Sequence, residues 1–375
     1  MDVVHFFDLV AQVLILPVMI LFFFFGSEDF IFDFYALCGR LRPKGLSREK
    51  FSQISAIPEV PIAIMVASWK EVRVLSKMVR GNSARINYKN YHFFLGVYPN
   101  DSETLAEARE LAALFPNVHV VVNEKEGPTS KGQMLNQVVL GILESEKKLR
   151  IWFDLFLMQD SEDIIHAQSL KLVNWLRKDY DFIQTPVFSL PVSPFALVAG
   201  TYIDEFAESH LKDLLIREEW NGPIPSAGVG TALSRRLIVR FVQGGRRSLL
   251  NEKTVTEDYE LGMQTRLARL KSHFACYYLE AGDGSLPEMI ATREYFPKKF
   301  LRSIRQKTRW TLGIAFQSQE ALAWTGSLSQ KYFYYRDRKG PITNFVVLLG
   351  MSLLAYFLIR PSRCCRALFF TPGLR

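Results

Sequence analysis

The chain has 375 residues, 49% hydrophobic and 13% aromatic, with 46 basic against 38 acidic side chains and a net charge of +8. An apolar content of that size, with 29 Phe, is rich for a soluble enzyme and points to contact with lipid. No long Lys/Arg block is interleaved with aromatics, which argues against nucleic acid, and four cysteines without a CxxC pair and six histidines without HExxH argue against a disulfide framework, a zinc knuckle or a zinc hydrolase.

Residues 3–25 form a largely apolar stretch long enough to cross a bilayer. A signal peptide would need a basic start, yet the chain begins Met1-Asp2, and a cleavage site of small residues is missing. Residues 1–25 therefore read as a retained transmembrane helix. Arg40, Arg42, Lys44, Arg48 and Lys50 follow, so the positive-inside rule puts the N-terminus outside and makes 26–57 a basic cytoplasmic juxtamembrane segment.

Residues 58–67 read as a first buried strand, with Glu71 in the loop after it and a helix over 72–80. A second strand, 91–97, ends in Tyr98-Pro99-Asn100-Asp101, turn chemistry with an acid at the strand tip. A helix over 103–115, a strand over 118–122, a loop over 127–132 carrying Lys131 and a helix over 133–144 follow. The apolar run 151–158 is a fourth strand, and it leads into three acids in four residues, Asp160, Glu162 and Asp163. Clustered carboxylates repel one another and are tolerated best around a hard divalent cation such as Mg²⁺ or Mn²⁺; the alternative is a solvated turn. Strands alternating with helices imply a mostly parallel α/β sheet, in which ligands bind beyond the carboxyl ends of the strands. Glu71, Asp101, Lys131 and the acids at 160–163 all fall at such ends.

A helix over 164–178, a short strand over 182–187 and a helix over 197–220 come next. The small, Gly-rich stretch 223–231 could let backbone approach a ligand closely, but it matches neither a P-loop nor a Rossmann turn. Thr256 is a plausible N-cap for a helix opening Glu257-Asp258. Acids in a first turn suit the helix dipole, and Asp258 could also act as a general base. Residues 295–322 mix basic and apolar side chains in the manner of a helix lying on a membrane surface. Within them Gln306, Arg309 and Trp310 share one helical face, which suits a phosphate and a sugar ring, or alternatively lipid-facing anchoring. Residues 341–359 carry no charge and are a second transmembrane candidate. Arg360, Arg363 and Arg366 beyond them conflict with Arg336, Arg338 and Lys339 on the other flank, so either a further span is missing or the segment does not fully cross.

In this order, Asp101, Asp160-Ser161-Glu162, Thr256-Glu257-Asp258 and Gln306-x-x-Arg309-Trp310 resemble the signature of the membrane family 2 glycosyltransferases, which include cellulose and hyaluronan synthases. Four phrases, at 98–101, 127–131, 160–166 and 225–231, resemble more narrowly the glycosyl transferase part of the bacteriophage N4 adsorption protein B family. The resemblance implies a GT-A fold and an inverting single displacement from a nucleotide sugar, with UDP as the expected nucleotide. It divides the chain into a GT-A domain over 58–290, amphipathic interface helices over 291–340 and a transmembrane helix with a truncated tail over 341–375. Asp101, and Glu71 with it, would contact the nucleotide, and Lys131 would lie near it. Asp160 and Glu162 would hold Mg²⁺ or Mn²⁺ on the diphosphate, Asp258 with Glu257 would deprotonate the acceptor, and Gln306, Arg309 and Trp310 would close over diphosphate and acceptor. Glu162 stands where the pattern has a second Asp, and Asp163 is the alternative ligand.

The expected function is a membrane-bound, metal-dependent, processive glycosyltransferase making an exopolysaccharide at the bacterial inner membrane, its catalytic domain cytoplasmic. Its partners would be the donor, a glycan acceptor, membrane lipid and an outer-membrane export protein, and no nucleic acid. Transfer of a single sugar to a lipid or protein is one alternative. A non-catalytic inner-membrane component of a phage-adsorption complex is another.

Overall fold

Ile62–Ala67 has no polar side chain, and a strand so apolar is stable only when both of its faces are covered. In the computed structural model, which describes residues 3–39, 41–242, 248–281 and 286–359, it lies inside a seven-stranded sheet. The strand order is Val118–Val122, Tyr91–Val97, Ile62–Ala67, Leu155–Asp160, Thr231–Ser234, Phe182–Gln184, Ser272–Phe274. All neighbours pair in parallel except Thr231–Ser234, which runs antiparallel to both strands beside it. The sheet is thus mostly parallel, as the alternation of elements implied.

Side chains alternate across the sheet. Ile62, Ile64, Val66, Phe93 and Leu95 pack one face against Val74–Arg85, Ser102–Leu114 and Ser169–Leu176. Ala63, Met65, Phe94, Phe156 and Met158 pack the other against Lys131–Leu149 and Arg235–Phe241. The register sets Ala67 opposite Asp160, so the first and fourth strands read from the sequence end level with each other.

Several boundaries differ from the reading of the sequence. The fourth strand begins at Leu155 rather than at 151: Trp152 is exposed and its ring lies under the Arg235 guanidinium, 3.3 Å away. The expected strand 182–187 is two strands, Phe182–Gln184 in the main sheet and Val187–Ser189 paired with Thr292–Glu294. The basic segment 26–57 is largely built into the fold. Lys44–Leu46 pairs with Tyr277–Leu279, and Ser47 caps the helix Arg48–Ser55, which buries Ile54 in the core.

The described residues divide into two units, and Leu41–Tyr334 holds the sheet and the helices that cover it. The other unit contains the helices Val3–Cys38 and Gly340–Ile359, both long and apolar enough to cross a membrane. They meet through Ala11, Val18, Val346 and Leu353 and leave most of their large apolar side chains exposed. The first helix does not stop at 25. Its continuation carries Glu28 and Asp29, which pair with Arg336 and Lys339 of the same unit. Cys38 is exposed and Cys276 buried, both free. Arg40, Arg360, Arg363, Cys364, Cys365 and Arg366 lie outside the described residues.

Candidate active site

Three strand ends and three helices converge at the carboxyl edge of the sheet. Leu155–Asp160 delivers Asp160, and the chain then turns tightly: the Asp160 N–H donates to Asp163 Oδ2 at 2.7 Å. Asn82 locks that turn from below. Its amide donates to the Asp163 carbonyl at 2.8 Å, and its Oδ1 accepts from the Ile165 N–H at 2.9 Å. Asp163 is buried inside the turn, and burial pushes its carboxyl well above the usual range. Glu162 is exposed on the turn, and desolvation of its carboxyl and the Asp160 charge raise its pKa.

Lys131 opens the helix Lys131–Leu149, whose N-cap, Ser130, accepts from the Gln133 N–H. A cation in a first turn opposes the helix dipole and needs compensation. Lys131 Nζ has it: Asp160 Oδ1 lies 2.5 Å away and the Gly228 carbonyl 3.3 Å away. Burial disfavours the ammonium, but Asp160 and Asp258 outweigh burial and hold its pKa above the ordinary lysine value.

Glu257 and Asp258 open the helix Glu257–Leu267. Thr256 is its N-cap residue but makes no side-chain cap hydrogen bond, contrary to the sequence expectation. Its hydroxyl instead packs against Gly313, where an added Cβ would lie 2.1 Å from Thr256 Oγ1. The Gly-rich stretch comes down on the same helix. Gly228 has φ +79°, and a Cβ there would meet Asp258 Oδ2 at 2.4 Å. Burial raises Asp258, with Lys131 pulling back, and burial together with Asp258 pushes Glu257 to about 7.

The helix Phe300–Thr311 carries Gln306, Arg309 and Trp310, and these close the site. Lys131, Asp160, Glu257, Asp258, Gln306, Arg309 and Trp310 line one cavity of about 280 Å³. Thr254, Thr256 and Gln306, which also line it, each carry a buried oxygen with no hydrogen-bond partner. Unpaired buried acceptors and hydroxyls are costly, and a polar occupant would satisfy them. A second hollow of about 610 Å³ adjoins it; Asp160, Glu294, Gln306 and Arg309 line both, and Glu162 lines the second.

Glu71 and Asp101 sit on the same edge but do not line these cavities. Asp101 Oδ2 accepts from the Lys70 N–H at 2.6 Å and its Oδ1 caps the helix Ser102–Leu114 through the Thr104 N–H, so its carboxylate holds the loop after the first strand. Glu71 is half-buried, and burial and the charges of Glu162 and Asp160 push it up.

Two further residues belong to the site. Glu294 lines both cavities, and burial with the Asp160 charge pushes it to about 8. Gln184 is fully buried and holds the Gly-rich loop. Its amide donates to the Val229 carbonyl at 2.8 Å while its Oε1 accepts from the Ala227 N–H at 3.0 Å and from Thr231 Oγ1 at 2.7 Å.

The donor chemistry here fits a hard divalent cation. Glu71, Glu162 and Glu294 all hold their protons more tightly than free carboxyls, with the Asp160 charge among the causes in each case. A cation among them would relieve that repulsion. No set of three or more His, Cys, Asp or Glu side chains among the described residues is placed to enclose an ion.

Similarity to known proteins gives the family and the fold. The pattern of Glycosyltransferase like family 2 matches residues 58–313. Bacteriophage adsorption protein B of Escherichia coli K12 and bacteriophage N4 adsorption protein B of Escherichia coli O157:H7 are each 36% identical to the chain over 364 residues, which is 93% of the chain and 49% of either protein. The chain thus spans about half the length of these curated relatives. Among solved structures, the mannosyltransferase PcManGT from Pyrobaculum calidifontis, in complex with GDP-Man and Mn²⁺, superposes with a TM-score of 0.63 at 11% identity, covering 96% of this chain and 90% of that one. At that identity the likeness speaks for the fold, which is GT-A-like with a mostly parallel central sheet.

Proposed function

The chain belongs to glycosyltransferase like family 2, and from that premise we propose that it is a membrane-bound, metal-dependent, inverting glycosyltransferase that moves a sugar from a nucleotide sugar, UDP-linked in the first instance, to a growing glycan. One observation carries the reading. Lys131 with Asp160, the Glu257-Asp258 helix start and the Gln306-x-x-Arg309-Trp310 face, far apart in sequence, line one cavity.

In this reading Asp160 and Glu162 hold Mg²⁺ or Mn²⁺. A bound cation would neutralise charge developing on the leaving diphosphate. Asp163 is the weaker choice for second ligand, because its carboxylate is engaged inside its own turn. Asp258 takes the proton from the acceptor hydroxyl. The freed oxygen attacks the anomeric carbon from the face opposite the diphosphate, which leaves with the electron pair of the broken C–O bond and inverts that carbon. Arg309 and Lys131 stabilise the negative charge on the leaving group. Gln306 and Trp310 position donor and acceptor, and Glu71 and Asp101 shape the nucleotide side through the loop after the first strand. Burial, with the Asp160 charge beside it, makes Asp258 more basic than a free carboxylate, which suits a general base.

The two apolar helices span the inner membrane, with the residues between them cytoplasmic, and processive exopolysaccharide synthesis is the favoured outcome. The names of the relatives motivate a second reading, a part in phage adsorption that requires no chemistry. Sugar incorporation by membranes carrying Asp258→Asn separates the two. Loss of incorporation with the fold intact supports the transferase; retained incorporation sinks the assignment of Asp258. Phage sensitivity that survives Asp160→Ala favours the second reading.

A further inference from the structure

The two adjoining hollows of the site have different walls. Asp258 lines the first and not the second, while the cations Lys298, Lys299 and Arg302 line the second and not the first. In the proposed transfer the base lies at the acceptor, and cations suit a departing diphosphate, so the bond that breaks falls where the two hollows join. Four residues line both: Asp160, Glu294, Gln306 and Arg309. Asp160, Gln306 and Arg309 already have roles there. Glu294 has none.

The Glu294 backbone is held from two sides. Thr292–Glu294 pairs in parallel with Val187–Ser189, and the Glu294 carbonyl accepts from the Leu190 N–H at 2.8 Å. One residue earlier, Arg293 and Ile164 exchange both backbone hydrogen bonds, at 2.9 and 3.0 Å, which ties Glu294 to the chain leaving the acid turn. Its side chain is in the opposite condition. Asp160 pairs with Lys131, Asp163 is bonded inside its turn, and Asp258 accepts from the Tyr259 N–H at 2.7 Å. The half-buried Glu294 carboxyl forms no hydrogen bond or ion pair with any described residue. A polar group held rigidly in a cavity without a partner is costly until an occupant supplies one. Nor does Glu294 complete a cage for an ion with Asp160 and Glu162, because no three such side chains among the described residues are placed to do so.

We propose that Glu294 is a specificity residue, whose carboxyl binds hydroxyl or amide groups on the sugar ring of the donor. The proposal rests on the transferase reading, which puts that ring between Asp258 and the diphosphate. A carboxyl that hydrogen-bonds one arrangement of ring substituents rejects a ring that places them elsewhere, because it is then left desolvated and unpaired. A nucleoside diphosphate without a sugar gains nothing from it.

The test is equilibrium binding to the full chain in nanodiscs, with Mn²⁺ and without acceptor, of UDP, GDP and a panel of their sugars. The quantity read is the affinity for each nucleotide sugar relative to its bare nucleotide. For the sugar that the wild type favours, Glu294→Ala should lower this ratio about ten- to hundredfold, the size of a hydrogen bond to a charged group. Glu294→Gln, which keeps the shape and one acceptor oxygen, should lower it less. In both variants the affinities of different sugars on one nucleotide should draw together, while bare nucleotide and Mn²⁺ bind no more weakly than in the wild type. A cooperative melt checks folding, and Glu294→Gln carries the test if Glu294→Ala does not fold. An unchanged ratio and an unchanged spread among sugars overturn the proposal. Equal losses for the bare nucleotide, or weaker Mn²⁺ binding, assign Glu294 to the cation instead and overturn it too. A wild-type chain that binds no nucleotide at all overturns the transferase reading itself, an outcome distinct from these and one that removes the proposal with it.

Discussion

Asp258 carries the heaviest chemical assignment in the site. Removing a positioned base costs roughly 10²–10⁴-fold in rate. Asp258→Asn keeps the shape and should lower turnover by a factor in that range with no change in the melting temperature; a rate within a few-fold of wild type would remove Asp258 from the mechanism. The environment of the acid pair also sets its pH dependence. Asp258 is raised and Glu257 lies at about 7, so activity that needs the ionised base should rise with pH through the weakly acidic range towards neutrality. A pH–rate profile already flat above about pH 5, near the ordinary carboxylate range, would contradict this. At this scale the sequence was informative where side-chain identity and spacing were enough, as for Asp160, Glu162, Lys131 and Asp258. Glu294 was not legible, because it enters the site only through the pairing of Thr292–Glu294 with Val187–Ser189, a contact between short segments far apart in the chain. Asp101 was legible as a strand-tip acid, but its hydrogen bonds to the Lys70 and Thr104 amides, which bind it into the loop, depend on tertiary placement.

Among the elements, the site depends on backbones that approach closely. Gly228 combines a left-handed φ of +79° with the Asp258 carboxylate where a side chain would begin. Gly228→Ala should cost about 1–2 kcal/mol from the left-handed backbone alone, and should displace Asp258, so turnover falls further than stability does. Gly313 brings the turn after Trp310 onto Thr256, and the Val255 N–H bonds to Gln317 Oε1 at 3.0 Å across the same junction. Gly313→Ala should therefore impair catalysis while leaving the sheet unchanged, which kinetics beside a thermal melt would show. The strands Tyr91–Val97 and Val118–Val122 were readable to the residue because apolar and β-branched runs end in turn chemistry on both sides. Thr231–Ser234 escaped detection. Four residues at the end of a Gly-rich stretch carry too short a pattern, and the antiparallel direction follows from the two strands that flank it.

For the whole molecule, clustered buried acids imply a linkage between stability and pH. Glu294 holds its proton to about 8 and Glu257 to about 7 in the folded chain. Unfolded, both would release it near 4.3, an ordinary Glu value of about that size. The folded state binds more protons across this window, so stability is greatest at its acid end and falls as pH rises through it. Melting temperatures should decline from about pH 5 to about pH 8. Mn²⁺ should restore part of the loss, and Glu294→Gln should flatten the decline; a flat profile in the wild type would contradict the electrostatic account. The basic segment after the first helix illustrates what sequence could not supply at this scale. Its charge was plain, but its folding depends on Lys44–Leu46 finding Tyr277–Leu279 more than two hundred residues away.

Nucleoside diphosphate release by the chain in membranes, across a panel of UDP- and GDP-sugars with Mn²⁺ or Mg²⁺, tests the central claim most directly. The account predicts release with one donor, abolished by EDTA, restored by added Mn²⁺ and absent in Asp160→Ala. Release that persists in EDTA, or that survives loss of Asp160, would contradict the reading of this cavity as a metal-dependent sugar-transfer site.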